Sequence, residues 1–212
     1  MKLKTMNFND FYSKTEKYFS AQYSGGMETT IKKYSIAPCK ALDVGAGEGR
    51  NALYLAAIGF DVIAVEPSDV GAQKIIRQSK ENGLDIYVYQ ADFLSVANDI
   101  SNVGFVVLLT VLEHMEYNYM LQAVSMIKKL MQPGGYIYIV VFTEDDPGFK
   151  KDIKNASECA MFIQHYFKKG ELRNLFSDFE ILEYSEYMKE DTTHGPMHYH
   201  GKAKLVAKKP QI

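Results

Sequence analysis

The sequence predicts an α/β protein built on an open, mainly parallel sheet flanked by helices. Three observations carry this expectation. After residue 40, short apolar segments alternate with helix-length amphipathic ones, the pattern of strands joined by crossover helices. The short segments are almost continuously apolar and rich in Val, Ile and Tyr, as strands buried on both faces must be. Between the first of them and the next helix lies a glycine-rich turn, Gly45-Ala46-Gly47-Glu48-Gly49.

Residues 10–34 read as one or two helices carrying Phe11, Tyr12, Tyr18, Phe19 and Tyr23, a set of rings suited to packing on the sheet. Strands are expected at 41–46, 61–66, 86–92, 105–111 and 136–142, with helices at about 50–58, 68–82 and 117–131 between them. The last of these helices runs into Gln132-Pro133-Gly134-Gly135, a stop followed by a turn. Residues Thr143–Asn155 are polar and contain Glu144-Asp145-Asp146-Pro147-Gly148, which suggests a surface loop or lid. Gly170 opens a short amphipathic helix with Leu172, Leu175 and Phe176 inward. Segments 179–188 and 202–209 alternate as a half-exposed antiparallel edge pair would. No repeat or linker divides the chain. The expectation is one domain over 1–212: a helical cap at 1–35, a core at 41–142, and a lid and hairpin at 143–212.

At 212 residues, 47 % hydrophobic and 24 % charged, the chain has enough apolar surface for one sizeable core. A net charge of −2 with no clustered basic face argues against a nucleic-acid partner. The N-terminus lacks a signal-peptide core, and the runs Phe105–Leu112 and Tyr136–Phe142 are far shorter than the ~20 residues that span a bilayer. Two cysteines, Cys39 and Cys159, imply no disulfide framework. A cytoplasmic protein without a membrane partner is expected.

Function begins at the strand–turn–helix around Asp43. Glycines let a backbone approach a ligand, and the free N–H groups of a helix N-terminus face it. The spacing Asp43-x-Gly45-x-Gly47-x-Gly49 departs from a dinucleotide fingerprint, because its third glycine comes one residue early and Arg50 fills the position of the expected small residue. Glu66, 23 residues after Asp43 and at the end of the second strand, suits the two ribose hydroxyls of a nucleotide, NAD included.

The motif from Asp43 to Gly49 resembles motif I of the class I S-adenosylmethionine methyltransferases. The resemblance implies a Rossmann-like three-layer sandwich with a seven-stranded, mainly parallel sheet and an antiparallel C-terminal hairpin. It implies S-adenosyl-L-methionine as cofactor and S-adenosyl-L-homocysteine as product. It places cofactor contacts at Asp43, Gly45, Gly47, Glu66 and Pro67, with Ala91, Asp92 and Phe93 around the adenine. Asp92 has an alternative use as a helix cap or Asx turn. Arg50 and Asn51 open the first helix, where a cation can meet the methionine carboxylate; Arg50 pairing with Glu48 at the surface is the alternative. Leu109 and Thr110 supply backbone carbonyls for the methionine ammonium. The N-terminal aromatics either pack on the sheet or lie over the cofactor mouth. Many relatives start the fourth strand with an acid, where this chain has Gly104-Phe105.

Further segments narrow the resemblance to the tellurite-resistance methyltransferases: Asn51 to Ala56, Gly59-Phe60-Asp61-Val62, Pro133-Gly134-Gly135-Tyr136, Leu205 to Lys209, and most specifically Phe167-Lys168-Lys169-Gly170-Glu171-Leu172-Arg173. The acceptor implied is a small molecule of the metalloid type. A soft nucleophile with a free lone pair needs no general base, whereas a hydroxyl needs one, for which His114 or Glu113 is available; a capping acid and a structural histidine are the alternative. His194, His198 and His200 form a cluster with Met197, in which His198 and His200 share a strand face. They suit an anionic or metalloid acceptor or a metal, against a polar strand start with solvated rings. Without a carboxylate at fixed spacing, no metal is expected. Catalytic residues stay unassigned, as does His165. Alternatives are a methyltransferase of another thiol, amine or hydroxyl compound, an NAD-dependent oxidoreductase, and a non-catalytic cofactor-binding module. A monomer or homodimer is expected.

Overall fold

Strand side chains alternate between two hydrophobic cores, and this alternation makes the sheet the middle of three layers. The computed structural model describes residues 8–17, 22–152 and 154–211. Among them, seven strands form one sheet: β1 Lys40–Val44, β2 Asp61–Val65, β3 Ile86–Tyr89, β4 Val103–Leu109, β5 Met131–Phe142, β6 Glu180–Asp191 and β7 His198–Lys208. Leu42, Val106, Leu108, Ile137 and Ile139 face one core, while Ala41, Phe105, Val107, Tyr138 and Val140 face the other. Two-sided burial is why the central strands read as unbroken apolar runs.

The strand order is β3-β2-β1-β4-β5-β7-β6, parallel through β5, with β7 antiparallel to β5 and β6 antiparallel to β7. Helices α2 (Gly25–Lys33), α3 (Arg50–Ala57) and α4 (Asp69–Glu81) cover one face. The other is covered by α5 (Phe93–Val96), α6 (Tyr117–Leu130) and α7 (Glu171–Leu175). A further short helix, α1 (Phe8–Tyr12), lies against α4. This is the expected sandwich with its antiparallel C-terminal pair. The order reverses between β1 and β4, the place where open α/β sheets bind ligands beyond their carboxyl ends.

Local chemistry sets the helix starts. Ser24, Ser68 and Glu116 cap α2, α4 and α6 by accepting from Met27, Gly71 and Tyr119 N–H. Helix α3 gets no side-chain cap from its N-cap, Gly49, in the left-handed region at φ 84°, and its Ala52 N–H donates to the Asp43 carboxyl instead. Adding a Cβ at Gly49 would also bring it 2.7 Å from Ile75.

Several boundaries differ from the sequence expectation. The strand β5 starts at Met131, directly after α6, so the Pro133-Gly134-Gly135 stretch lies inside it as an irregular edge. The strand β6 reaches Asp191 and β7 starts at His198, so His198 and His200 belong to a strand while His194 sits in the turn between them. Residues 143–155 are only partly a surface loop: Asp146 is 1 % exposed, accepts from Gly148 N–H through Oδ1, and from Gly201 N–H through Oδ2. Tyr18 and Phe19 lie outside the described residues.

The close approach of β7 to this loop needs a glycine. A Cβ at Gly201 would stand 2.4 Å from Asp146 N and 2.6 Å from Asp145 C, both backbone atoms that cannot swing away. We expect Gly201→Ala to destabilise the fold by about 1–3 kcal/mol, seen as a lower urea midpoint at unchanged m-value. An unchanged midpoint would show that the loop yields freely.

Candidate functional site

The carboxyl ends of β1 and β4 open into a cavity of about 560 Å³ whose walls include Asp43, Gly45, Gly47, Arg50, Asn51, Leu109 and Thr110. Its far wall is the β6–β7 hairpin, with Asp191, His194, His200, Lys202 and Lys204. The parallel sheet and the hairpin thus contribute opposite sides of one chamber.

The glycine turn shapes the near side. Gly45 and Gly47 have φ of 65° and 60°, values that L side chains rarely adopt. A Cβ on Gly45 would lie 2.3 Å from Val111 Cγ2. Thr110 also has a positive φ, 53°, unusual for a β-branched residue and typical of backbone held by a functional site. Its hydroxyl donates to Leu109 O at 2.7 Å. Asp43 is buried, and among the described residues its Oδ2 has no hydrogen-bond partner. Burial pushes its carboxyl up to about 7, with Arg50 opposing and Glu66 adding to the rise. A buried oxygen without a partner costs on the order of 1–3 kcal/mol unless a ligand satisfies it. It is a polar socket.

Glu66 is buried behind the glycine turn, is not itself part of the cavity wall, and ties two loops together: Oε2 accepts from Gly47 N–H and Oε1 from Ser68 N–H, each at 2.7 Å. Burial raises its pKa and the two N–H bonds restrain the rise. Each oxygen keeps a second lone pair. Tyr12 of α1 covers this corner, its ring 3.2 Å from where a Gly71 Cβ would be. Of the aromatics, Phe11 and Tyr12 are buried, and Tyr12 with Tyr23 lines the cavity, so packing and site wall coincide.

Several sequence candidates have other surroundings. Glu48 is buried and pairs with Lys74 at 2.6 Å, so a surface pair with Arg50 is not how it is used. Asn51 lines the cavity while its Oδ1 accepts from Ser24 N–H at 2.9 Å, anchoring the start of α2. Asp92 is exposed and caps α5 through Oδ1, which accepts from Leu94 N–H at 3.2 Å and from the Tyr119 hydroxyl. Phe93 sits in the core with Leu42 and Val44, where its ring holds α5 down. Pro67 is exposed, Ala91 half-buried, and neither lines the cavity.

Of the acid–base candidates, His114 lines the cavity with Nδ1 3.2 Å from Phe162 O and its ring edge-on to Phe8. Burial lowers its pKa below the usual 6.5. Glu113 is 0 % exposed and absent from the cavity wall. Burial pushes it up to about 8, with Lys202 opposing, so it is a protonated structural acid at neutral pH. His165 pairs with Glu171 at 2.8 Å.

The C-terminal histidines are brought together. Solvated rings are not what the structure has: His198 and His200 are 3 % and 2 % exposed. His194 folds back over the Gly195-Pro196 turn to place its ring 4.7 Å from that of His198. Met197 points outward, exposed. The strand register adds a residue that sequence reading missed, because Asp191 on β6 pairs directly with His198. Burial lowers His194 to about 4 and lowers His200 as well. Burial also lowers Lys202 to about 8, with Asp191 opposing.

Comparison with known proteins follows the same outline. The family model described as "Tellurite resistance protein TehB" matches residues 7–198. A probable S-adenosyl-L-methionine-dependent methyltransferase TehB of Haemophilus influenzae is 30 % identical over 187 residues, 85 % of this chain and 60 % of that protein. The chain therefore spans about 60 % of the length of the curated relatives it matches first. The crystal structure of TehB from Haemophilus influenzae superposes with a TM-score of 0.76 at 27 % identity, covering 96 % of this chain and 67 % of that one. Magnesium protoporphyrin IX methyltransferase from Synechocystis PCC 6803, solved with bound SAH, shares the fold at a TM-score of 0.64 and 16 % identity, covering 87 % of this chain and 80 % of that one. Among the described residues, no helix is long and apolar enough to cross a membrane.

Glu113 gives a signed pH dependence. Its folded pKa of about 8 lies above the usual 4.5. Between those values the folded protein keeps a proton that the unfolded chain has lost, so this group makes stability fall as pH rises. We expect the urea midpoint of Glu113→Gln to gain on the parent steadily from pH 4.5 to about 8 and to level off above. A constant difference across that window would show that Glu113 does not titrate there.

Proposed function

The chain belongs to the tellurite resistance protein TehB family, and from that premise we propose that it is an S-adenosylmethionine-dependent methyltransferase acting on a small anionic acceptor of the metalloid oxyanion type. The observation that carries the reading is the unpartnered Oδ2 of buried Asp43 at the β1–β4 switch point, beside the N-terminus of α3. A cationic ammonium group satisfies that oxygen, and the methionine end of the cofactor has one.

The remaining residues fit the same group. Glu66 has lone pairs left for two ribose hydroxyls. Arg50, on the cavity wall at the first turn of α3, suits the methionine carboxylate. Leu109 and Thr110 lie on the same wall, where the backbone of Thr110 has a positive φ. When bound, the cofactor supplies an electrophilic methyl group: an acceptor lone pair forms the new bond while the sulfur keeps the electrons of the old one and leaves as a neutral thioether.

The chain's own task is alignment, worth on the order of several kcal/mol of barrier when two reactants are held in register. No buried base points into the chamber from Glu113, and a soft oxyanion with a free lone pair requires none. Lys202, Lys204 and Lys189 on the hairpin wall favour a negatively charged acceptor over a neutral amine or alcohol. A cytoplasmic monomer or homodimer is consistent with this reading.

Glu66→Gln keeps the size, removes the charge and leaves one acceptor oxygen for the two N–H donors of Gly47 and Ser68. We expect S-adenosylhomocysteine affinity to weaken by about 1–3 kcal/mol in calorimetric titration, with circular dichroism reporting whether the loss of one loop bond also loosens the fold. Parental affinity in that variant would detach Glu66 from the ribose. For the acceptor, S-adenosylhomocysteine release should rise with tellurite or selenite and stay at background with neutral alcohols. Release driven by thiols alone would replace the metalloid reading with a thiol one.

A further inference from the structure

We propose that Asp191, His194, His198 and His200 form a binding site for one divalent transition-metal ion of the zinc class in the hairpin wall of the cavity. The proposal goes beyond the methyltransferase reading, and nothing in it depends on cofactor or acceptor.

Geometry comes first. Each of the four residues offers one ligand atom, and these atoms all lie within 4.8 Å of one another. Nitrogens coordinating one tetrahedral zinc at ~2.0–2.1 Å stand roughly 3.3 Å apart. The Nε2 atoms of His198 and His200 are already 3.0 Å apart. Sub-ångström side-chain shifts close the remainder of the set.

Proton placement supports the same reading. His198 Nδ1 lies 2.7 Å from Pro196 O, and His200 Nδ1 lies 2.9 Å from Asp146 Oδ2. A carbonyl and a carboxylate only accept, so both Nδ1 atoms carry the proton. Both Nε2 atoms then present lone pairs to each other across 3.0 Å, an arrangement that calls for a cation between them. The carboxylate–histidine pair from Asp146 to His200 is the outer-shell contact that orients metal-ligating imidazoles and raises their basicity. Asp146 is itself fixed by Gly148 and Gly201 N–H.

The fourth ligand is positioned with equal care. Thr193 donates its N–H and its hydroxyl to Asp191 Oδ1, at 2.8 and 2.6 Å, which leaves Oδ2 for the ion. Lys202 Nζ stands 3.9 Å from that oxygen, a loose contact that a divalent ion outcompetes. The expectation of no metal rested on the lack of a carboxylate at fixed sequence spacing. The β6–β7 register supplies one from across the hairpin. Three imidazoles and one carboxylate oxygen form a borderline donor set, suited to zinc, cobalt or nickel and unsuited to magnesium or calcium.

The test uses the full chain after dialysis against a chelator, titrated with Zn(II) by calorimetry and with Co(II) by visible absorption. The expected result is one ion per chain at micromolar affinity or tighter, with the intense d–d bands of tetrahedral Co(II). His194→Gln, a substitution in a half-exposed turn, and His198→Gln should each weaken binding at least tenfold while circular dichroism and S-adenosylhomocysteine affinity stay parental. Should His198→Gln fail to fold, His194→Gln alone decides. A folded parent that takes up neither metal overturns the proposal and leaves a histidine cluster sharing protons. Undiminished affinity in His194→Gln overturns it equally, by placing the ion elsewhere.

Discussion

The Glu66 carboxylate is the contact on which the working end of this molecule depends. By accepting from Gly47 N–H and Ser68 N–H it joins the turn after β1 to the turn after β2. Ser68 continues the chain, since its hydroxyl accepts from Gly71 N–H to start α4 and donates to Asn9 of α1. Lys74, one turn further along α4, donates to Tyr12 O, Thr15 O and Glu48. A single buried acid thus ties the glycine turn after β1 to the turn after β2 and, through Ser68, to the start of α4 and to α1. Charge-assisted bonds of this kind are about twice as strong as neutral ones, which is why a carboxylate can remain buried at all.

What the sequence revealed and what it hid divide along one physical line. Features encoded by neighbouring residues were legible: two-sided burial shows as continuous apolarity in β4 and β5, and positive-φ turns show as Gly45, Gly47 and Gly49. Features made by distant residues were not. Asp146 reads as part of a polar loop, yet it lies buried against His200 because β7 passes 54 positions later. Asp191 reads as the charged tail of an edge strand and becomes the partner of His198 only through the hairpin register. Phe93 follows an acid at a strand end and invites a role beside a ligand; tertiary packing instead takes the ring into the core. The charged run Glu186-Tyr187-Met188-Lys189-Glu190-Asp191 also masked how far β6 extends, since an exposed edge strand need not alternate cleanly.

The buried ionisable groups sort into two kinds, and the difference explains where the chamber is reactive. Glu113 is buried away from the cavity wall, and among the described residues neither of its carboxyl oxygens has a hydrogen-bond partner, so burial favours its neutral form. Asp43 is equally buried but open to the cavity on one side, with Arg50 near enough to pull its pKa back toward neutrality. Both acids are pushed up by burial, and only Asp43 lies on the cavity wall where a cation could reach it. Position relative to the cavity, more than burial itself, decides which acid can answer a ligand.

The two walls of the chamber are built by different rules. The near wall comes from loops after parallel strands, whose glycines and carboxylates are locked together through Glu66 and tolerate little change. The far wall comes from an antiparallel edge hairpin, where alternate residues face the cavity and each position can be exchanged without moving its neighbours. Replacing Asp191, His194 or Lys202 alters the charge and ligand chemistry facing an acceptor while leaving Asp43, Glu66 and the turn around Gly47 untouched. His194, His198 and His200 lie on that hairpin, 128 residues or more beyond Glu66 and outside every glycine turn of the near wall.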